Sequence, residues 1–166
     1  MKTIVFTMFL AILLSCTSQQ KLESKTETIT TRPELINTNL RFDFTAGKAH
    51  NHPTFAIWIE DLEGNYIETL YVTSYIASGT FRHSESEQGK WKNEPGSVRR
   101  PAALPYWSHK RNIKAPDGLY TPSPETPVTD ALTGATPKAD FTLNTGSKVA
   151  TGKMFRVLAE VNQSWD

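Results

Sequence analysis

The sequence predicts an all-β fold, an immunoglobulin-like antiparallel sandwich that carries a long proline-rich loop insertion. Residues 40–45, 54–60 and 66–73 alternate apolar and polar side chains, which is the period of a half-buried strand. Residues 61–65, between the last two segments, have the composition of a turn, so these segments are expected to pair as a β-hairpin. No convincing amphipathic helix and no internal repeat interrupts this pattern, which therefore favours a sandwich.

Two further strands are expected near the end of the chain, at residues 140–143 and 155–161. The apolar positions of all these segments define the predicted core. It consists of Phe42, Phe44, Phe55, Ile57, Ile59, Leu70, Val72, Phe141, Val157 and Leu158.

Composition excludes several classes of protein. The chain has 166 residues, a length typical of one domain. Its 18 basic and 17 acidic residues nearly balance, which argues against nucleic acid as a partner, because a nucleic-acid binder needs a clear basic excess. The one cysteine excludes an internal disulfide framework and a cysteine-based zinc cluster.

The first residues have the features of an export signal. Lys2 supplies a positive start, and the apolar run at 4–14 is too short for a stable transmembrane helix. Leu13, Leu14, Ser15 and Cys16 resemble the bacterial lipobox, in which the cysteine is diacylated and becomes the mature N-terminus. The alternative is a plain secretory signal with an incidental cysteine.

The lipobox interpretation divides the chain into three parts. Residues 1–15 form the signal peptide, residues 16–37 a lipid-anchored flexible tether, and residues 38–166 the β-sandwich domain with its insertion at 81–139. The acyl chains on Cys16 then attach the protein to a membrane in the cell envelope, on the periplasmic or outer-surface side.

The insertion at 81–139 holds eight of the ten prolines. A segment this long without regular structure is usually functional or disordered. It carries Tyr106, Trp107 and Tyr120, however, and disordered segments tend to lack aromatic residues. Much of it is therefore expected to be ordered and packed across the sandwich.

The most specific string in the chain lies in this insertion and runs from Asp130 through Ala131, Leu132, Thr133, Gly134 and Ala135 to Thr136. It resembles the flavinylation motif of the FMN-binding domains in Rnf and sodium-pumping quinone-reductase complexes. In those domains a flavin transferase moves FMN from FAD onto the final hydroxyl.

That resemblance implies that Thr136 is the FMN acceptor, that Thr133, Gly134 and Ala135 form the recognised turn, and that Asp130 is the leading acid. Gly134 and Ala135 leave the backbone accessible to another enzyme, and glycine permits unusual backbone angles. The alternative is a Thr-Gly turn that Asp130 caps.

A broader resemblance covers most of the mature chain. The segments 50–61, 69–73, 99–108 and 162–166 are similar to those of an uncharacterised family of predicted periplasmic proteins, the domain of unknown function 2271. Members of that family continue beyond the string Asn162, Gln163, Ser164, Trp165, Asp166. The resemblance therefore implies that the sandwich of this chain is truncated at its C-terminus.

Three other groups of residues are candidates for binding. His50 and His52 face the same side if their segment is extended, but two ligands without nearby carboxylates or cysteines hold a metal weakly, and the pair also suits hydrogen bonds within the loop. The other groups carry positive charge or aromatic rings. The basic run consists of Arg99, Arg100, Lys110, Arg111 and Lys114, and the aromatic group of Trp58, Tyr106, Trp107 and Tyr120.

The basic run suits an FMN phosphate or another anionic partner. An equally open alternative is a solvated loop in which an arginine stacks on Trp107 or Tyr106. The aromatic group suits stacking on a flavin ring, although Trp58 is expected to pack within the sandwich. No catalytic triad, carboxylate pair or phosphate-binding loop is present in the sequence, so a hydrolase has little support.

These observations lead to an expected function. The protein is an extracytoplasmic, lipid-anchored flavoprotein that carries covalent FMN and transfers electrons. Its expected partners are a flavin transferase, membrane-associated redox proteins and, through the lipid, the membrane. The alternative is a non-catalytic envelope β-sandwich that acts as a binding or structural module, and a metal-binding module using His50 and His52 is a third hypothesis.

Overall fold

A computed structural model gives the fold of the chain. It describes residues 26–35, 38–51, 53–80, 84–87, 89–92, 99–128, 132–134 and 139–163. Nine strands and two short helices lie within these ranges, and none of the helices is long and apolar enough to cross a membrane. In chain order, the elements are β1 (Glu27–Thr31), β2 (Thr38–Phe44), β3 (Thr54–Glu60), β4 (Tyr66–Thr73), α1 (Ser74–Ser78), β5 (Ser84–Glu87), β6 (Lys90–Lys92), α2 (Pro105–Arg111), β7 (Leu132–Gly134), β8 (Phe141–Ser147) and β9 (Arg156–Asn162).

The strands form two main sheets, which confirms the predicted all-β sandwich. The three-stranded sheet has the order β1-β8-β2, and the four-stranded sheet has the order β7-β4-β3-β9. Strands β5 and β6 pair separately. Each main sheet also contains one parallel pair, β1 with β8 and β4 with β7. The immunoglobulin-like strand order stays a prediction.

The central hairpin of β3 and β4 is confirmed as expected. Gly64 turns the chain with φ +88, and the Asn65 backbone N–H donates to Asp61 Oδ1 at 2.7 Å. The Asn65 side chain donates to the other Asp61 oxygen at 2.8 Å, and these hydrogen bonds hold the pKa of Asp61 below its usual value. The hairpin therefore follows from local turn chemistry as well as from apolar alternation.

The two sheets enclose one apolar layer. Phe55, Ile57 and Ile59 project from β3 into this layer and meet Phe141 and Leu143 of β8. Because side chains alternate along a strand, the intervening Ala56 and Trp58 face the other side of the four-stranded sheet. Strand β3 is consequently buried on both faces.

The outer face of the four-stranded sheet is covered by the part of the insertion at 99–128. Trp107 of α2 and Leu104 pack with Trp58 and Val72 in a second apolar cluster. Trp107 donates from its indole Nε1 to Thr69 Oγ1 at 2.9 Å. This stretch of the insertion is therefore ordered and packed across the sandwich, as its aromatic content predicted.

The structure corrects several sequence expectations. Residues 27–31, assigned to the flexible tether, form β1 in the three-stranded sheet. They were missed because Ile29 is their only large apolar residue, although threonine also favours strands. The two short helices were not expected. Of the predicted core, Val157 is 39% exposed because β9 is an edge strand, and Phe42, Phe44 and Leu158 are only partly buried.

Candidate functional site

Three residues of the flavinylation-like string, Leu132, Thr133 and Gly134, lie on a sheet edge. Thr133 and Gly134 belong to β7, the outermost strand of the four-stranded sheet. Their backbones align with Val72 and Thr73 of the parallel strand β4. Edge strands present one unpaired side to their surroundings. The described part of the string therefore lies at an edge of the sheet and ends two positions before the predicted acceptor in the sequence.

Several predicted site residues fall outside the described parts of the chain. Asp130, Ala135 and Thr136 lie outside the described residues, and so do Cys16 and His52. The predicted acceptor and the predicted lipid attachment point therefore stay predictions. Within the described residues, no group of three or more His, Cys, Asp or Glu side chains is placed to hold a metal ion.

A cavity opens at the same end of the sandwich as the end of β7. Its volume is about 470 Å³, which lies within the range of pockets that hold small molecules. The wall residues come from the end of β2, the following loop, the start of β3, the start of β8 and the end of β9. They are Phe44, Thr45, Ala46, Gly47, Ala49, His50, Pro53, Phe55, Ala139, Phe141, Val161 and Gln163.

Three phenylalanines form an aromatic wall. The rings of Phe44 and Phe141 stack with centroids 4.4 Å apart and an angle of 8° between planes. Phe55 meets both rings edge-on, at 6.0 Å from Phe44 and 5.7 Å from Phe141. Such aromatic pairs stabilise one another, but the three rings are not coplanar, and Phe55 and Phe141 are 8% and 2% exposed. On β9, Val161 is 53% exposed.

The loop at 45–53 is tied to the sheets at both ends. The Ala46 N–H donates to Asp140 Oδ1 at 2.8 Å, and the Asn51 N–H donates to Gln163 Oε1 at 2.6 Å. A turn within the loop is closed by the His50 N–H, which donates to the Gly47 carbonyl at 3.1 Å. These bonds position His50 and Gly47 at the cavity without help from a ligand.

His50 carries a buried nitrogen without a hydrogen-bond partner in the part of the chain that the structure describes. Its Nε2 is shielded from solvent and has no hydrogen-bond partner among the described residues. Buried polar atoms are nearly always paired in folded proteins, because an unpaired one forfeits the hydrogen bond it would make to water. His50 therefore lines the cavity through its other atoms, while its Nε2 is shielded from the cavity space.

The basic run is largely engaged in internal contacts. Arg99 donates to the Thr121 carbonyl at 2.8 Å and pairs with Asp117, while Arg111 lies over the Trp107 ring at 4.9 Å. Lys110 contacts the buried carboxylate of Glu60 at 3.5 Å and donates to the Gly64 carbonyl at 2.9 Å. Lys114 lies 5.0 Å from the Tyr120 ring centroid, and Arg100 is exposed. The alternative in which an arginine stacks on an aromatic ring therefore describes the basic run better than a site open to an anionic ligand does.

Most of the aromatic residues considered for stacking on a flavin ring are likewise engaged in contacts within the protein. Trp58 packs within the core as expected, and its indole donates to Glu60 Oε1 at 2.8 Å. Trp107 is also fully buried, so neither tryptophan is available to a flavin. Tyr120 stacks on His109, with centroids 4.4 Å apart, and Tyr106 is exposed beside Trp58.

The cavity itself was not predicted from the sequence. Phe44, Phe55 and Phe141 were assigned to the core, and His50 was considered only with His52 as a metal ligand. The wall segments are far apart along the chain, near residues 44–55, 139–141 and 161–163, and no local pattern links them. The one signal available was the pair of histidines directly before β3.

Comparison with known proteins adds no relative: no family model, no curated protein and no solved structure matches this chain.

Proposed function

We propose that this protein is an extracytoplasmic, lipid-anchored flavoprotein that carries FMN covalently on Thr136 and acts as an electron carrier. The observation that carries the proposal is the complete string from Asp130 to Thr136, combined with the position of Thr133 and Gly134 on an edge strand. An acceptor for another enzyme must lie where that enzyme can reach its backbone, and an edge strand that ends two positions before Thr136 supports such access.

The attachment chemistry needs one nucleophile from this chain. The Thr136 oxygen attacks the FMN phosphorus of FAD, an O–P bond forms, the anhydride bond breaks, and AMP leaves while the hydroxyl proton is released. The transferase supplies the catalytic groups, so this chain contributes only the hydroxyl and the backbone around it. Once bound, FMN supplies one- and two-electron chemistry, and the protein sets its position and surroundings.

A lipid-anchored protein with a covalently attached flavin is suited to electron transfer and not to the turnover of a metabolite. Covalent attachment retains the cofactor in a compartment where free FMN would be lost by dilution. The lipid on Cys16 would hold the carrier close to membrane-associated redox proteins, the expected electron donors and acceptors.

Co-production with a flavin transferase tests the attachment. Wild type and the Thr136→Ser variant should give a fluorescent band under ultraviolet light in a denaturing gel, because both keep a hydroxyl. Thr136→Ala should give none. The exposed Thr28 of β1 offers a matched control, and Thr28→Ala should be labelled like wild type.

The carrier activity needs a separate test. The labelled protein should be photoreduced and should then pass its electrons to a soluble acceptor, returning to the oxidised spectrum. Labelling without reversible reduction would leave attachment intact and refute the electron carrier. Loss of labelling in Thr28→Ala would show that the gel assay does not report on the acceptor.

The second candidate function is an envelope binding module without a covalent cofactor. The cavity favours this candidate, because its volume of about 470 Å³ and its mostly apolar lining suit a small ligand. Protein isolated from its own envelope would then carry a noncovalent small molecule and no FMN adduct. Native mass spectrometry before and after denaturation separates the two functions.

A further inference from the structure

We propose that two copies of this chain associate edge to edge, by antiparallel pairing of β9 with β9 of the second copy. This inference goes beyond the proposed function and does not require a bound flavin. It uses only described residues, and three observations carry it: an edge strand without the usual protection, an apolar stripe exposed on that strand, and a residue pattern that is complementary to itself.

Strand β9 is a regular and weakly protected edge of the four-stranded sheet. All seven of its residues pair with β3 in one continuous register, without the shifts that interrupt the pairing of β3 with β4. The strand contains no proline and no lysine. Of its two charged residues, Arg156 stands at the first position, and Glu160 accepts two N–H groups of α2. Natural edge strands are commonly protected by bulges, prolines or outward charges, so β9 is suited to accept another strand.

An edge strand of the other sheet shows the contrast. Strand β2 carries Arg41 and Asp43, whose side chains pair with each other and are 67% and 62% exposed. These charges disfavour pairing of β2 with an apolar strand. The edge at β2 is therefore protected in a way that the edge at β9 is not.

Alternate side chains of β9 form an apolar stripe, which we call the β9 stripe and which consists of Val157, Ala159 and Val161. Val157 and Val161 are 39% and 53% exposed, and Ala159 is exposed as well. Their partners on β3 point into the apolar layer between the two main sheets, so the stripe lies on the same face. The exposure shows that the described residues leave this part of the inner face uncovered.

The β9 stripe is complementary to itself when a two-fold axis passes through Ala159. Val157 then lies opposite Val161 of the second copy, and the same contact occurs a second time on the other side of the axis. Valine side chains that lie directly opposite each other pack well in an antiparallel pair. The small side chain of Ala159 at the axis lets the two strands approach without a clash.

The other residues of β9 fit the same register. Arg156 lies opposite Asn162 of the second copy. Glu160 lies opposite Leu158, so no like charges face each other. An axis at Glu160 would place two carboxylates opposite each other, and an axis at Leu158 would place Val161 beyond the end of the opposite strand. The pattern therefore favours the register that pairs the two stripes.

The overall charge also suits a second copy as the occupant. The chain has 18 basic and 17 acidic residues and a formal net charge of +1, so long-range repulsion between two copies is small. A two-fold pair satisfies both exposed edges at once, because the same strand contributes to the interface from each copy.

Disulfide cross-linking of the full-length chain tests this register. Opposite residues of an antiparallel pair have Cα atoms about 4.5–5.5 Å apart, which is a separation that a disulfide can span. The Ala159→Cys variant, treated with the thiol oxidant diamide, should therefore give a disulfide-linked dimer on a non-reducing gel. Wild type, which keeps Cys16, sets the background.

Further cysteine variants are the controls. Val157→Cys alone should not cross-link above background, because the two substituted positions lie four residues apart along the pair, roughly 13 Å. A mixture of Val157→Cys chains and Val161→Cys chains should cross-link, because these positions face each other. Leu119→Cys, at a residue of the insertion that is 40% exposed, should stay at background.

Sedimentation equilibrium of the full-length chain in a mild detergent tests association without a cross-link. Wild type should sediment with twice the mass of one chain. Val157→Lys and Val161→Lys, made together, bring positive charges opposite each other and should raise the dissociation constant at least several-fold. Ile113→Lys with Leu119→Lys changes two apolar residues of the insertion, 49% and 40% exposed, and should leave the dissociation constant unchanged. Circular dichroism and thermal melting establish that each variant is folded.

Three outcomes would overturn the proposal. The first is a wild type that sediments as one chain, together with an Ala159→Cys variant that cross-links no more than wild type. The second is equal cross-linking of Ala159→Cys, Val157→Cys and Leu119→Cys, which indicates random collision. The third is a folded Val157→Lys/Val161→Lys variant that associates like wild type, which assigns the association to another surface. None of these measurements requires FMN, so they leave the flavin attachment to its own test.

Discussion

Glu68 is a buried carboxylate that holds the two sheets and the start of the domain together. Its oxygens accept hydrogen bonds from Arg32 Nη1 at 2.5 Å, from Ser147 Oγ at 2.5 Å and from the Lys148 N–H at 2.8 Å. The Arg32 and Glu68 side chains are 7% and 4% exposed. Removing one member of such a pair leaves the other charge buried without its partner, which costs far more than loss of a surface pair.

We expect Glu68→Ala to lower the free energy of unfolding by about 3–5 kcal/mol, because it removes the buried carboxylate that pairs with Arg32 and accepts hydrogen bonds from Ser147 and Lys148. Urea denaturation measures this loss. Arg41→Ala is the control, because Arg41 pairs with Asp43 on an exposed surface, and it should change stability little. Equal losses in the two variants would show that burial does not set the strength of the Glu68 pair.

Tyr71 should make the protein less stable in alkali. Burial, reinforced by the charges of Glu27 and Tyr75, raises the pKa of Tyr71 to about 12. An unfolded tyrosine titrates near pH 10, so between about pH 10 and pH 12 the unfolded chain loses a proton that the folded chain keeps. Stability therefore falls as the pH rises through this window.

The Tyr71→Phe variant removes this titration. Its urea midpoint should fall less steeply than that of wild type over the same alkaline window, while the two proteins keep similar slopes near neutral pH. Parallel curves throughout the alkaline range would contradict the role assigned to Tyr71.

At the level of elements, α2 depends on a carboxylate from β9. Glu160 accepts the Trp107 N–H at 2.7 Å and the Tyr106 N–H at 3.2 Å, two amides in the first turn of the helix that have no partner within it. Glu160→Ala should cost about 1 kcal/mol, as loss of a helix cap does. Faster hydrogen exchange confined to residues 105–111 would report the effect.

The matched variant is Glu63→Ala, which changes an exposed glutamate in the hairpin turn and should leave exchange in α2 unchanged. Unaltered exchange in Glu160→Ala would mean that packing of Trp107 alone holds the helix.

The elements show how far the sequence determines the fold. The β3–β4 hairpin could be predicted because period-two alternation and the turn residues Asp61 to Asn65 agree. Helix α2 was missed because seven residues are too few for a clear helical period, although Pro105 at its first position and basic residues in its last turn are recognised signals. Strand β1 was missed because Ile29 is its only large apolar residue, so its sequence shows little apolar alternation.

The candidate site could be predicted only in part. The string ending at Thr136 is local, so its resemblance to a flavinylation motif was visible in the sequence. The cavity forms where β2, β3, β8 and β9 come together in the folded chain. These strands are far apart in the sequence, so local sequence patterns do not indicate that they meet. Phe44, Phe55 and Phe141 therefore could be identified as core residues, but not as the wall of a cavity.

The whole molecule has three packed layers, and this explains why the central strands β3 and β4 are buried on both faces. The three-stranded sheet covers one face of β3 and β4, and the insertion at 99–128 covers the other. This construction leaves β7 and β9 as the two edges of the larger sheet. The end of β7 and the cavity lie at the same end of this layered body.

The proposed membrane attachment through Cys16 also concerns the whole molecule. Cys16→Ala removes the thiol that would carry the lipid, so the protein should leave the membrane fraction or accumulate with its signal peptide uncleaved. Fractionation followed by immunoblotting measures both. A Cys16→Ala protein that is cleaved normally and stays in the membrane fraction would contradict the lipid anchor.

Peptide mass spectrometry of the protein, co-produced with a flavin transferase, tests covalent flavin attachment most directly. The proposed function predicts one FMN adduct per chain, with fragment ions that place the phosphoester on Thr136, and no adduct in Thr136→Ala. An unmodified Thr136 peptide in the presence of an active transferase, or an adduct on another residue, would contradict it.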